Sequence, residues 1–127
     1  MTQTTPLTGG KRIAMYATTG LVGLGLLASA GAKLSGAQQI VENFEKFHLG
    51  PFRTGIGVLE AIVALLFLIP RTSSIGTLLV TGYFGGAIVA HLGANAPGEM
   101  VAPLVLGALA WASNFLRNPN MFESLSK

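Results

Sequence analysis

Long uncharged stretches, separated by short polar segments, dominate the sequence. They cover residues 13–32, 61–70, 72–98 and 100–116, and the second is preceded by an apolar approach that contains Glu60. An α-helix needs roughly 20 apolar residues to cross a bilayer core of about 30 Å, and these stretches come close to that length. The pattern predicts an all-α fold, an integral membrane four-helix bundle with spans at residues 12–34, 52–69, 75–92 and 100–116.

A shorter segment between the first two spans has a different pattern. Its apolar residues recur at helical spacing, and its other face carries Gln, Glu, Asn and Lys. The apolar positions are Ala37, Ile40, Val41, Phe44 and Phe47. The segment is too short and too polar to span a bilayer. We therefore predict an amphipathic helix over residues 37–48, lying in the interface or folded over the bundle end, within a single domain of residues 1–127.

The composition favours lipid over water as the solvent of these helices. Half of the 127 residues are apolar and 10% are charged, whereas soluble domains carry about a quarter charged residues. A globular domain of this size could not bury four such helices and keep a polar shell. The 17 glycines also fit, because small residues let membrane helices approach closely.

Several functional classes are excluded or disfavoured by the sequence. It contains no cysteine, which excludes disulfides, thiolate metal sites and dithiol relays. It shows no phosphate loop, dinucleotide fingerprint or Ser/His/Asp arrangement. His48 and His91 lack the spacing of metal or haem ligands, so no metal site is expected. The net charge of +3 favours lipid headgroups over nucleic acid as the electrostatic partner.

Loop charges predict the orientation of the spans. One side of a four-span bundle carries Lys11, Arg12, Arg71, Arg117 and Lys127, and the other carries Lys33, Lys46 and Arg53. The larger number of cations on the first side favours a multi-pass protein of the cell inner (plasma) membrane with both termini in the cytoplasm.

The first span has one feature of a secretory signal. Ala28, Ser29 and Ala30 resemble the small residues of a cleavage site, and Lys11 and Arg12 precede the apolar run. The run is long for the apolar region of a signal peptide. We therefore expect the first span to be retained.

Ionisable residues converge at the non-cytoplasmic end of the predicted bundle. Lys33 ends the first span, Arg53 opens the second with Glu60 farther in, and His91 ends the third. Glu60 lies on nearly the same helix face as Arg53 and about 10 Å deeper. An ionised carboxylate near the bilayer centre costs about 2.5 to 3.5 kcal/mol, so Glu60 should face the interior and be protonated or paired. Lys33 and Arg53 are the nearest candidate partners.

Two interpretations of these residues remain open. In the functional one, Lys33, Glu60 and His91 build a polar ligand pocket with Arg53 nearby, and Tyr83 and Asn95 are hydrogen-bonding neighbours. In the structural one, a buried ion pair only fixes the helix register, and His91 only anchors a helix end at the interface. Intramembrane ionisable residues favour the functional hypothesis. No residue is assigned a catalytic role.

Four segments in order resemble the DoxX-like family. They are SAGAKL (29–34), FEKFHLGP (44–51), GVLEAIVALLFLIPR (57–71) and YFGGAIVAHL (83–92), and the resemblance covers roughly residues 12–117. It implies a four-helix membrane bundle in which Lys33, Glu60 and His91 occupy recurrent polar positions. The family takes its name from a subunit associated with quinone-linked thiosulfate oxidation. Other members look like accessory partners of redox enzymes, and animal relatives resemble assembly chaperones for membrane receptors.

Together these features favour an accessory subunit of a larger, redox-associated membrane complex, with a polar intramembrane pocket and no enzymatic activity of its own. A first alternative is an oxidoreductase component that binds quinone or another small amphiphile, with Glu60 or His91 exchanging a proton. A second is an assembly chaperone for membrane proteins. A transporter is disfavoured because four spans leave no second half for an inverted repeat. No cofactor is evident apart from the candidate quinone, and the expected partners are the lipid bilayer, other subunits or further copies of the chain.

Overall fold

The computed structural model describes residues 8–93 and 97–120, and helices make up nearly all of this part of the chain. The helices are α1 (Gly9–Ser35), α2 (Gln38–Lys46), α3 (Arg53–Leu68), α4 (Ser73–Gly93) and α5 (Val101–Arg117). Single 3₁₀ turns lie at Gly50–Phe52, Pro70–Thr72 and Pro97–Met100. With the turns that precede them, α3, α4 and α5 are long and apolar enough to cross a membrane, as is α1. The predicted all-α fold, with four spans and a short helix after the first, is confirmed.

The observed helix ends differ from the predicted spans by a few residues. Helix α1 begins at Gly9, inside the predicted N-terminal tail, because Thr8 caps it: its side chain accepts a hydrogen bond from the backbone N–H of Lys11 at 3.4 Å. Helix α3 ends at Leu68 because Ile69 precedes a proline and adopts an extended conformation, φ −72° and ψ 122°. Capping and proline thus set the exact helix ends, whereas hydropathy predicts those ends only approximately.

The four spans form a ring around a small apolar core. Helix α1 packs against α3 and α5, and α4 packs against the same two helices from the opposite side. The buried core residues are Val22, Leu26, Val63, Ala64, Phe67, Val80, Phe84 and Ala110. The outward faces are also apolar, and Ile13, Leu24 and Leu78 are each more than half exposed. Contact with lipid makes such a surface favourable, whereas in water it would promote association.

Glycines occur both at close helix contacts and on open faces. A Cβ added at Gly76 would lie 2.5 Å from the carbonyl carbon of Leu66, and one at Gly57 would lie 3.1 Å from the Cβ of Lys33. By contrast, a Cβ on several glycines of α1 and α4 would meet no atom within 4 Å, namely Gly20, Gly25, Gly82, Gly85 and Gly86. Packing within the bundle therefore explains only some of the glycines.

Helix α2 folds over the end of the bundle where α1 and α4 finish, which we term the α2 end. Phe44 is buried, and the ring of Phe47 meets the ring of His91 edge-on at 4.9 Å between centroids. The chain enters α2 after Gly36, in the left-handed region at φ 73°. Of the two predicted placements for this segment, the structure shows the one over the bundle end.

The C-terminus of α2 is closed by a Schellman motif. His48 has φ 61°, its N–H donates to the carbonyl of Glu45 at 3.0 Å, and the N–H of Leu49 donates to the carbonyl of Phe44 at 2.8 Å. This pair of bonds turns the chain sharply and satisfies the carbonyls of the last turn.

We expect the substitution His48→Gly to raise the melting temperature of the purified protein in detergent. A non-glycine residue in the left-handed region costs about 1 to 2 kcal/mol, and glycine removes this cost. His48→Val should lower the melting temperature, because a β-branched residue fits this region poorly. Gln39→Gly, on the exposed face of α2, is the control and should cost about 1 kcal/mol. A melting temperature for His48→Gly as low as that for Gln39→Gly would contradict the strained conformation.

Candidate functional site

The deepest polar contact at the α2 end is an ion pair between Lys33 and Glu60. The Nζ of Lys33 lies 2.8 Å from Oε1 of Glu60, and the two side chains are 11% and 3% exposed. Lys33 comes from the last turn of α1 and Glu60 from the middle of α3. Gly57, one turn before Glu60, lets α3 approach the backbone of α1 closely enough for the pair to form.

Two further side chains complete the surroundings of the ion pair. The Nζ of Lys33 also donates to the Oγ of Ser29 at 2.6 Å, one turn earlier in α1. It lies 6.0 Å from the ring centroid of Tyr83, whose side chain is close enough to Glu60 to interact with the carboxylate. Ser29, Lys33, Glu60 and Tyr83 thus form one polar cluster from three helices, which we term the Lys33–Glu60 cluster. Tyr83 was predicted as a neighbour, and Ser29 was not.

Arg53 has a different role from the one expected for a partner of Glu60. Its Nη1 donates to the backbone carbonyl of Lys33, and it lies close to Gly36, which follows α1. The guanidinium therefore satisfies a carbonyl at the end of α1, where cations are favoured by the helix dipole. Of the two candidate partners of Glu60, the structure assigns the ion pair to Lys33.

His91 lies nearer the end of the bundle than the Lys33–Glu60 cluster. Its Nδ1 is 2.6 Å from the carbonyl oxygen of Ala87, and its Nε2 is 3.5 Å from Oε2 of Glu99. A carbonyl can only accept, so Nδ1 is the donor in the contact with Ala87. Asn95, the remaining predicted neighbour, lies outside the described residues. Within residues 8–93 and 97–120, no group of three His, Asp or Glu side chains could hold a metal ion.

A cavity of about 460 Å³ lies between the Lys33–Glu60 cluster and α2. Its polar lining is Lys33, Asn43, Tyr83 and His91. Its apolar lining comes from α2 and the turn after it, from α3 and from α4, namely Ile40, Phe44, Phe47, Leu49, Ile56, Leu59, Gly82, Gly86, Ala87 and Ala90. The volume falls in the range of about 300 to 1,000 Å³ that is typical of small-ligand pockets.

The cavity brings together three of the six candidate residues, Lys33, Tyr83 and His91. Glu60 does not line the cavity but is paired with Lys33, which does, and Arg53 does not line it either. The apolar wall was missed by the sequence analysis, although its signal was present. The face of α2 that was recognised as amphipathic supplies Ile40, Phe44 and Phe47.

A second polar cluster, at the opposite end of the bundle, was also missed. Ser73, Thr77, Ser113 and Asn114 are all buried there. Asn118 donates to the Oγ of Ser73 at 2.8 Å, and Thr19 hydrogen-bonds to Ser113. Arg117 donates to the carbonyl of Phe67 at 2.7 Å and covers its ring. These contacts tie α5 to α1, α3 and α4. Their signal in the sequence is a set of uncharged hydroxyl and amide residues near the span ends.

Comparison with known proteins identifies the family of the chain. No curated protein and no solved structure matches the chain. The profile of the DoxX-like family matches residues 17–113, from within α1 to within α5. This range includes the Lys33–Glu60 cluster and all the residues that line the cavity. The chain is therefore a membrane protein that belongs to the DoxX-like family.

Proposed function

We propose that this protein is an accessory component of a larger membrane complex and that it holds a small amphiphile in the cavity beneath α2. The observation that carries the proposal is the cavity itself, with mainly apolar walls and a few polar groups at one side. Sites for small molecules typically combine these two features, because the walls supply binding energy and the polar groups fix orientation.

The position of the cavity on α4 supports a ligand that enters from the bilayer. Gly82 and Gly86 line the cavity and are exposed on the surface of the bundle. A molecule dissolved in lipid can therefore reach the cavity between α2 and α4 without crossing the polar end of the bundle. Quinones belong to this class of molecule, and Lys33 and Tyr83 could donate hydrogen bonds to a quinone headgroup. Binding of quinone as part of an oxidoreductase is the alternative form of the proposal.

The accessory role is supported by surfaces that the bundle itself does not use. The open glycines that do not line the cavity, Gly20 and Gly25 of α1 and Gly85 of α4, leave room for close approach of another membrane helix. A protein with two such faces is suited to a lateral contact. Affinity purification from native membranes in a gentle detergent tests this role, and we expect other subunits to be recovered with the chain. Recovery of this chain alone would contradict the accessory role.

Filling the cavity is expected to abolish amphiphile binding. The substitution Gly86→Leu places a side chain in the cavity, whereas Gly85→Leu adds the same side chain at a neighbouring position that does not line it. We expect saturable labelling by a photoreactive amphiphile in lipid nanodiscs for the wild-type protein and for Gly85→Leu. Labelling of Gly86→Leu should fall by about tenfold or more, equivalent to at least 1.4 kcal/mol.

Two results would overturn the cavity part of the proposal. One is the absence of saturable labelling in the wild-type protein for every amphiphile tested, quinones included. The other is equal labelling of Gly86→Leu and Gly85→Leu while both remain folded, which would place the label outside the cavity.

A further inference from the structure

We infer that the ligand of the cavity is an uncharged amphiphile whose head carries a hydrogen-bond acceptor, and that the Lys33–Glu60 pair discriminates against anionic and cationic heads. This inference rests on the proposed function, since it presupposes that the cavity holds an amphiphile. It names the chemistry of the head from the hydrogen bonds and charges at the cavity wall.

The hydrogen bonds of Lys33 indicate an acceptor. An ammonium group has three N–H donors. One donates to Ser29 and one to Glu60. The third has no acceptor among residues 8–93 and 97–120, although the Lys33 side chain is nearly buried. Lys33 and Tyr83 both line the cavity, with the Nζ of Lys33 6.0 Å from the Tyr83 ring centroid. An ester or ketone carbonyl in the cavity would supply the missing acceptor.

The charges around the cluster indicate an uncharged head. The positive charge of Lys33 is already balanced by Glu60 at 2.8 Å. An anionic head would compete with Glu60 for one ammonium and bring two carboxylates together in a medium of low dielectric constant. A cationic head would face Lys33 directly. Arg53 does not line the cavity, so its guanidinium does not lie against the head as a compensating charge.

The remaining walls indicate a hydrocarbon body for the ligand. Gly82, Gly86 and Ala90 follow one another at intervals of four residues on α4, so they lie along one face over about 12 Å. Because these residues have little or no side chain, hydrocarbon can lie directly against the helix backbone. Phe44 and Phe47 of α2 line the same cavity. The ligand thus combines a neutral acceptor near Lys33 with an apolar body along α4.

A set of three matched probes tests the charge preference. The probes share one hydrocarbon chain with a photoreactive diazirine and differ only in the head, which is a methyl ester, a carboxylate or a primary amine. Full-length protein is labelled at neutral pH in nanodiscs of uncharged lipid, and the labelled peptides are identified by mass spectrometry. We expect the ester to label residues of the cavity saturably, with an apparent affinity about tenfold or more above that of either charged probe.

The outcomes separate this inference from the proposed function. If the carboxylate or the amine labels the cavity as tightly as the ester, and Gly86→Leu abolishes that labelling, the cavity holds an amphiphile and the inference is wrong. If no probe and no quinone labels the cavity, the proposed function fails, and the inference fails with it.

Removing the charge of Glu60 should reverse the preference. The substitution Glu60→Gln keeps an oxygen that can accept from Lys33 but leaves the ammonium without a counter-charge. We expect the apparent affinity of the carboxylate probe to rise about tenfold relative to that of the ester probe, because the carboxylate replaces the missing negative charge. Glu42→Gln, on the exposed face of α2, is the control and should leave the order of the probes unchanged. An unchanged order in folded Glu60→Gln would overturn the role of the pair. If this variant does not fold, the three probes on the wild-type protein decide.

Discussion

Replacing Gly76 with alanine is expected to prevent α4 from packing against the end of α3 and to destabilise the bundle strongly. The Cβ of an alanine would overlap the backbone nitrogen of Phe67 and lie 2.5 Å from the carbonyl carbon of Leu66. Backbone atoms cannot move aside by changing rotamer, so the two helices would have to separate. Forcing extra atoms into a packed core typically costs about 1 to 3 kcal/mol, and we expect a value at the upper end.

The tight link between α3 and α4 explains why this position is so restricted. The 3₁₀ turn at Pro70–Thr72 returns the chain immediately, and the hydroxyl of Thr72 donates to the carbonyl of Leu66 at 2.7 Å. The first turn of α4 is therefore held against the last turn of α3, at the level of Gly76. Separating the helices there would also break this cap.

Two other glycines provide matched controls for Gly76→Ala. At Gly23 the atoms nearest to the added methyl belong to the Leu68 side chain, which can change rotamer, so Gly23→Ala should have a smaller effect. At Gly85 the methyl would meet nothing within 4 Å, and Gly85→Ala should be neutral or slightly stabilising, since alanine favours the helix. Thermal unfolding in detergent, monitored as the loss of the monodisperse species, gives the order of stability of the three variants. A Gly76→Ala protein as stable as Gly85→Ala would show that α3 and α4 are not in close contact.

The spans were predictable from the sequence because the bilayer allows so few structures. A segment in hydrocarbon must satisfy its backbone internally, so an apolar stretch of spanning length is a helix. The placement of α2 was less determined. An apolar face of the kind formed by Ile40, Phe44 and Phe47 is buried equally well in the interface or against the bundle. Only tertiary packing, with Phe47 against His91, selects between them.

The sequence predicted those parts of the candidate site that follow from the cost of burying a charge. It did not predict the parts that depend on how the helices pack. A carboxylate at the position of Glu60 needs a partner, and the few cations nearby made Lys33 a natural choice. The role of Arg53 depends on the carbonyls at the end of α1, which residue spacing does not reveal. Gly76 and Gly86 look alike in the sequence, yet one touches backbone and the other lines a cavity. The cavity depends on how the helices are offset, a property of the assembled bundle.

Replacing Glu60 alone with alanine is expected to destabilise the protein by about 3 to 5 kcal/mol. The change leaves the ammonium of Lys33 buried, with Ser29 but without a counter-charge. Lys33→Ala should have a comparable effect, because it leaves the carboxylate of Glu60 buried without a counter-charge. Thermal or chemical unfolding in detergent measures both changes. The pair of His91 with the exposed Glu99 offers a control, since Glu99→Ala should cost no more than about 1 kcal/mol.

The double substitution Lys33→Met and Glu60→Leu separates the two interpretations of the pair. Replacing a buried ion pair with apolar side chains of similar volume is often neutral or stabilising, so we expect the double variant to recover the stability that each single change loses. If the pair serves only to fix the helix register, the double variant should bind the ester probe as tightly as the wild-type protein does. If the third N–H of Lys33 holds the ligand, the affinity of the double variant for the ester probe should fall about tenfold or more, although the variant is stable. A double variant that is stable and binds normally would therefore reduce the Lys33–Glu60 pair to a structural element.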